Sequence, residues 1–415
     1  MNVLKTYIEK VGDWANKRLG GDKIVWTIVF ILSMFSIAAV YSASSYIAMD
    51  TNTSKIVIFL EQFGMAVLGW CVLLVAYFFP PKFYRKYAIL IYFISIAVLL
   101  MLFIPPLRAE YNGAVRGIKI GSASIQVFDA AKVALLLYIA RVMERYEIKD
   151  FKTYLIRLLI PIGLTCVLLL TGSFSSALFM GAICLVILWI NKINWKYLLA
   201  TLAIGAGVFL ACLGLYEATK GSENPMFRRF ATAESRISNF FSPASSDEAT
   251  ANLTDSQKQR IKDEERQSEN AKIAIHEGGL IGKGPGKSTQ RYTLSMAFSD
   301  FIYAFIIEEY GSIVGILVMF MYIWLFARCA RIAYNCKTTF ASTIVFGLGL
   351  LITAQAMMHI YVNIRMFPIT GHTLPLVSHG GMAYIVFSGA FGIILSISRS
   401  IQEIDINKVD NEGDN

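Results

Sequence analysis

The sequence predicts an all-α polytopic membrane protein: ten transmembrane helices, both termini cytoplasmic, and one large extracellular loop. Three observations carry this expectation. First, 56% of the 415 residues are hydrophobic and only 16% are charged, against roughly 25% charged in an ordinary soluble domain. That composition excludes a disordered chain and exceeds what one water-soluble core can hide. Second, the apolar residues gather into stretches near the ~20 residues that a helix needs to cross a bilayer. Third, Lys and Arg are unevenly divided between the two sets of connecting segments.

The expected spans are Ile24–Ser44, Phe63–Phe79, Tyr87–Ile104, Val127–Val142, Tyr154–Thr171, Phe174–Ile190, Tyr197–Tyr216, Phe301–Ala327, Phe340–Tyr361 and Ser378–Ser398. The first follows a polar, basic tail that lacks the short apolar core and small-residue cleavage site of a secretory signal, so it is expected to remain in the mature protein. Glu61 and Gln62 begin the second. The fourth is short and carries Lys132, which is expected to face protein or water rather than lipid. The apolar run from Leu158 to Ile190 is too long for one crossing, and Gly172–Ser173 supplies the turn that divides it. The eighth holds Glu308 and Glu309, and the ninth ends at His359 and Asn363. Before the tenth, Thr370-Gly-His372 and Pro375 to Gly381 predict a bent, partly buried loop near the outer face.

With ten spans, the segments on the N-terminal side carry 19 Lys and Arg. The short loops opposite carry five: Lys55, Arg108, Arg116, Lys119 and Arg365. The basic side is cytoplasmic. The net charge of +9 is therefore mainly a topology signal, and no nucleic-acid partner is expected. None of the six cysteines has C-x-x-C spacing, so neither a disulfide framework nor a zinc site is expected. The chain divides into a tail (1–23), seven helices (24–216), an extracellular loop (217–297), three helices (298–398) and a second tail (399–415). The middle of the loop, Asp247 to Lys272, reads as a solvated helix or a disordered insertion.

The candidate chemistry lies at the outer face. Gly282-Lys-Gly-Pro-Gly-Lys-Ser288 looks like a phosphate loop, but Ile281 stands where a Walker A motif has its first glycine. It is either a glycine turn or a set of N–H groups that, with Lys283, Lys287 and Arg291, contacts a phosphorylated ligand. Asp300 stands at the lip of the eighth span, as a helix cap or as a reactive carboxylate. Glu308 lies eight residues on, about 12 Å along the axis and within about 80° around it, so the two carboxylates are placed to line one cavity. Gln126, Asp129 and Lys132 share one helix face at i, i+3 spacing. An Asp129–Lys132 ion pair is the purely structural alternative there.

These pieces, in this order, resemble the SEDS family of membrane glycosyltransferases (FtsW, RodA, SpoVE). The resemblance runs over nearly the whole chain: Val40-Tyr-Ser-Ala-Ser44; Asn112-Gly-Ala-Val-Arg116; Gln126 to Lys132; Gly278-Gly-Leu-Ile-Gly-Lys-Gly284 with Lys287-Ser288 and Gln290-Arg291; Ser299-Asp-Phe-Ile302; Glu308-Glu-Tyr-Gly311; and Pro368 to Gly381. Departures are Gly117 where the family has Trp, Phe298 where it has His, and Gly172-Ser173 where it has Pro-Asp. The Gly-Lys-Ser-x-Gln-Arg run looks more like the division branch than the elongation branch.

The resemblance implies the ten-span SEDS fold in the bacterial cytoplasmic membrane, at the division septum, and polymerisation of lipid II at its outer face. It implies Asp300 as the catalytic residue, with Arg116, Gln126, Lys132, Lys287, Gln290, Arg291, Ser299, Glu308 and Ser378 as substrate-binding residues. No cofactor is required by the sequence, although a divalent cation, Mg2+ or Mn2+, is compatible with the diphosphate. No dedicated metal cage is visible. The implied partners are a class B penicillin-binding protein transpeptidase and divisome membrane proteins. The same activity in elongation, a flippase for lipid-linked precursors and a non-catalytic division scaffold are the alternatives.

Overall fold

The computed structural model describes residues 20–43, 54–104, 106, 108–111, 114–120, 123–218, 255–290, 299–379 and 381–413. It is a helical protein, as expected. In chain order the helices are α1 (Lys23–Ala43), α2 (Lys55–Phe78), α3 (Pro81–Leu100), α4 (Phe128–Arg145), α5 (Phe151–Leu170), α6 (Phe174–Ile190), α7 (Trp195–Ala218), α8 (Asp255–Gly278), α9 (Ile302–Tyr334), α10 (Thr339–Asn363) and α11 (Met382–Gly413). Among the described residues, seven of these are long and apolar enough to cross a membrane: α1, α2, α3, α5, α9, α10 and α11. The apolar α6 is shorter.

Helix ends follow capping rather than hydropathy, and this corrects several boundaries. The second helix starts at Lys55, not Phe63, because the Ser54 hydroxyl accepts the Ile56 N–H. The third starts at Pro81, not Tyr87, with proline at the first helical position, where no N–H is needed. The α5–α6 turn falls where expected: Ser173 caps α6 by accepting the Ser176 N–H at 3.3 Å. α11 runs on to Gly413, well past Ser398, because its polar extension is still helix but invisible to an apolar count.

α4 explains why a charged segment lies within the bundle. It packs against α3, α5, α10 and α11, and twelve of its eighteen residues are buried. A helix enclosed by other helices meets protein rather than lipid, so Asp129 and Lys132 find partners there. α2 and α11 approach closely. A Cβ at Gly69 would lie 2.5 Å from the Tyr384 ring, and one at Gly392 would lie 2.4 Å from the Leu73 carbonyl oxygen. Small residues permit such contact between membrane helices.

Two features were not foreseen, or were foreseen only in part. Between α3 and α4 stands a three-stranded antiparallel sheet, β1 (Arg108–Tyr111), β2 (Ala114–Ile120) and β3 (Ala123–Gln126), in the order β1-β2-β3. It pairs Gly117 with Gln126 and delivers Gln126 to the start of α4. In the long loop, the polar segment is the helix α8. It docks on α9 through Ala271 and Ala274, both fully buried. The part of the expected insertion before Asp255 lies outside the described residues.

Candidate active site at the N-terminal end of α9

α9 is broken. Gly311 has φ 88° and ψ 164° inside it, a backbone conformation essentially restricted to glycine. The break strands carbonyls on one side and N–H groups on the other, and the loop after α8 satisfies both. Lys283 N–H donates to the Glu308 carbonyl and Gly284 N–H to the Glu309 carbonyl, each at 2.9 Å. Ser312 N–H donates to the Gly279 carbonyl at 3.0 Å and Ile313 N–H to the Leu280 carbonyl at 3.4 Å. Irregular backbone in a bundle is tolerated when protein pairs its polar groups. Contact here is backbone to backbone: a Cβ at Gly311 would lie 2.2 Å from the Leu280 carbonyl oxygen, and one at Gly282 2.3 Å from that of Glu309.

The two glutamates anchor that loop. Glu308 is fully buried and accepts from Ser288 Oγ (2.5 Å), Thr289 N–H (2.8 Å), Lys283 Nζ (2.9 Å), Thr289 Oγ1 (3.0 Å) and Gln290 N–H (3.3 Å). Glu309 accepts from Gly286 N–H at 3.0 Å and from Ser42 Oγ of α1 at 2.6 Å. The loop is thus a glycine turn, and the anions it cradles are these carboxylates. Lys283 also pairs with Glu277 and donates to Thr289 Oγ1 at 2.7 Å. Burial opposes its charge, but hydrogen bonds to Glu277 and Glu308 raise its pKa above the usual lysine value. Hydrogen bonds from Lys283 and Thr289 hold Glu277 below the usual carboxylate value. Of the sequence-predicted residues in this loop, Lys287 is exposed, Gln290 is half-buried and gives its N–H to Glu308, and Arg291 lies outside the described residues. The expectation that Glu308 lines an open cavity with Asp300 is replaced by this closed arrangement.

Asp300 lies in the turn before α9 and is half-buried. The N-cap position falls one residue later, on Phe301, which makes no side-chain cap. The cap comes from α10: Asn363 Oδ1 accepts the Ala304 N–H at 3.0 Å. Asn363 Nδ2 donates to the Asp300 carbonyl at 3.1 Å and to the His359 carbonyl at 2.8 Å. Ser378 Oγ donates to the Ser299 carbonyl and accepts the Leu374 N–H, both at 2.8 Å. Ser299 and Ser378 thus meet as backbone and side chain beside Asp300.

Lys132, 1% exposed, reaches Asp129 Oδ1 at 2.7 Å and Gln355 Oε1 at 3.3 Å, with its ammonium 5.9 Å from the Phe179 ring centre. The ion pair exists, and it also lines a cavity of about 30 Å³ with Gln126, Phe128, Ser176, Gln355, Gly371, His372 and Thr373. Such a volume holds about two waters. Gln355 Nε2 donates to the Thr373 carbonyl at 3.2 Å, and His359 Nδ1 donates to the His372 carbonyl at 2.8 Å. Lys132 and the Asp300 backbone are therefore linked through Gln355, the 372–373 backbone, His359 and Asn363. Sequence reading missed Gln355. The signal was present, since Gln355, His359 and Asn363 recur at i, i+4, i+8 in an apolar helix and so share one face. Arg116 lies in β2 beside β3, one residue from Gly117, the partner of Gln126.

The bent segment before α11 is buried, as expected. Leu376 has φ 61° yet is 2% exposed, a strained state for a branched side chain. It is held by Tyr322 OH to the Pro375 carbonyl (2.5 Å) and Ser36 Oγ to the Val377 carbonyl (2.9 Å). His379 Nδ1 donates to Gln62 Oε1 at 2.7 Å, and Gln62 Nε2 donates to Ser36 Oγ at 2.9 Å. Among the described residues no group of three or more His, Cys, Asp or Glu side chains is placed to hold a metal ion.

A helical membrane bundle with buried charges behind a glycine-rich loop is the class these elements define. The chain belongs to the FtsW/RodA/SpoVE family, described as a cell cycle protein, whose pattern matches residues 22–403. It is 29% identical over 403 residues to a probable peptidoglycan glycosyltransferase FtsW of Enterococcus hirae, covering 94% of this chain and 95% of that one. With the protein of the same name from Geobacter metallireducens it shares 28% over 388 residues, covering 92% and 95%. Among solved structures, it superposes on a chain of a peptidoglycan synthase complex that coordinates polymerization and crosslinking (TM-score 0.67, 20% identity, 92% and 99% coverage). It also superposes on the rod shape determining protein RodA of Thermus thermophilus (TM-score 0.62, 19% identity, 92% and 98% coverage).

Proposed function

We propose that the chain is a peptidoglycan glycosyltransferase that polymerises lipid II at the outer face of the cytoplasmic membrane, during cell division. It is a ten-span protein with both termini cytoplasmic, with α4, α6 and α7 completing the seven long apolar helices. The observation that carries the reading is the placement of Asp300. Asp300 lies in the turn before α9, its carbonyl is held by Asn363 of α10, and hydrogen bonds with the 372–373 backbone connect that carbonyl to the buried Lys132. The names of the relatives from Enterococcus hirae and Geobacter metallireducens support the activity and the division branch.

In the reaction, the C4 hydroxyl of an acceptor GlcNAc attacks C1 of a donor MurNAc. Asp300 takes the hydroxyl proton as general base. The C1–oxygen bond breaks as the C1–O4 bond forms, and undecaprenyl diphosphate leaves with the electron pair. One in-line displacement converts the α-linked donor to a β-linked product with inversion. Lys132, Arg116, Lys287 and Arg291 supply positive charge to the departing diphosphate. Gln126, Gln290, Ser299 and Ser378 complete the substrate contacts, and Glu308 acts by holding the loop in place. The partner is a class B penicillin-binding protein, a reading supported by the peptidoglycan synthase complex among the structural neighbours.

The purified protein, assayed with lipid II, should form glycan polymer, and Asp300→Asn should lower the rate by about 10²–10⁴-fold with membrane insertion unchanged. Polymer of normal length and rate from Asp300→Asn would remove the general-base role. One observation favours a flippase: discontinuous helices are a transporter feature, and α9 is discontinuous at Gly311. Here both ends of the break are capped by the chain's own loop rather than open to a ligand. Lipid II flipping in liposomes without polymerisation would favour that second reading.

A further inference from the structure

We propose that Asn363 is a positioning residue that aims the Asp300 carboxylate, a role that rests on reading Asp300 as the general base. Asn363 is fully buried, and its amide uses both kinds of hydrogen-bonding capacity. Its oxygen accepts the Ala304 N–H, while its nitrogen donates to the carbonyls of Asp300 and His359. Such a group has one orientation, because turning the amide over would set oxygen against two carbonyls and N–H against N–H. The usual cap for Ala304 would come from the residue at the helix start. Here it comes from α10, so the turn holding Asp300 is tied to a different helix.

The consequence is geometric. Ser378 holds the carbonyl before Asp300, that of Ser299, and Asn363 holds the carbonyl of Asp300 itself. With the peptide planes on both sides of Asp300 pinned, the direction of its Cα–Cβ bond is set and only side-chain torsions remain free. A base misplaced by about 1 Å costs on the order of 10²-fold in rate. Asn363 touches neither the reacting atoms nor the cavity beside Lys132. Its loss should therefore appear in turnover rather than in substrate binding.

The test is steady-state polymerisation of lipid II by the purified full-length protein and its Asn363→Ala and Asn363→Asp variants. Asn363→Ala is expected to lower kcat by about tenfold or more with KM within about twofold of the unaltered protein. Asn363→Asp keeps an oxygen for the Ala304 N–H, so the helix start stays capped. Its protonated form also supplies a donor to the Asp300 carbonyl, and it is expected to regain part of the lost kcat. An Asn363→Ala protein with unchanged kcat overturns the proposal, as does an Asp variant no better than Ala when KM has moved along with kcat. If Asp300→Asn is inactive while Asn363→Ala is normal, only the positioning role falls. Full activity in Asp300→Asn removes the base and its positioning together.

Discussion

The carboxylate of Glu308 accepts the backbone N–H of Thr289 at 2.8 Å, joining the buried N-terminal segment of one broken membrane helix to the loop that follows α8. Around this bond the protein solves two problems at once. The interrupted α9 leaves polar backbone unpaired, and a buried carboxylate needs donors. The glycine loop supplies both, with N–H groups for the carbonyls of Glu308 and Glu309 and further donors for their side chains.

Glu308→Ala therefore removes the acceptor of five hydrogen bonds and leaves Lys283 with Glu277 and the Thr289 hydroxyl. The cost is that of donors left unmet, about 1–3 kcal/mol for each one that stays buried. The expected result is a lower thermal midpoint in detergent and early proteolytic cutting within 283–290. An unchanged midpoint with a protease-resistant loop would show that other contacts hold it.

Gly311→Ala meets two penalties. The ε-region backbone costs roughly 1–3 kcal/mol for a residue with a Cβ, and that Cβ would lie 2.2 Å from the Leu280 carbonyl oxygen. Backbone on both sides leaves no flexible side chain to yield. Expression of a folded Gly311→Ala protein is expected to collapse, measured as the monodisperse fraction on size exclusion, while Gly163→Ala, where nothing lies within 4 Å, stays near normal.

Lys132 separates packing from chemistry. Lys132→Met leaves the Asp129 carboxylate without its cation in a cavity of about 30 Å³, at a cost of about 3–5 kcal/mol. Adding Asp129→Asn removes the uncompensated charge and should restore most of that stability. With the proposed role of Lys132 at the diphosphate, polymerisation should be absent in the single variant and stay absent in the double variant. Recovery of activity along with the thermal midpoint would reduce Lys132 to half of an ion pair.

Hydropathy and the Lys/Arg asymmetry made the helices legible, because lipid contact imposes composition directly. Asp300, Lys132 and Glu308 stood out for the same reason: few charges occur at membrane depth. What composition could not reveal was who partners whom. Glu308 looked like a cavity residue because its five donors lie 18–25 positions away in sequence, in a loop whose fold depends on glycine backbone angles. The β1–β3 sheet escaped because Arg108 to Gln126 contains glycines and charges rather than a clean alternation. Gln355 lies inside an otherwise apolar span, and a lone amide marks no face until it is read together with His359 and Asn363.

The loop clamp should be independent of pH over a wide window. Glu277 has a depressed pKa in the folded protein, so its contribution is complete above the ordinary 4.5 and fades as pH falls through the lowered value. Lys283 has a raised pKa, so its contribution is complete below the ordinary 10.5 and fades as pH rises through the raised value. Between those limits both charges are present and the clamp is at full strength. Amide exchange at 283–290, corrected for the intrinsic rate, should stay flat from pH 6 to 9, within that window, and accelerate in acid as Glu277 is protonated. Glu277→Gln should raise exchange across the plateau and remove the Glu277 contribution to the acid limb. A plateau that slopes with pH near neutrality would mean that another group titrates against the loop.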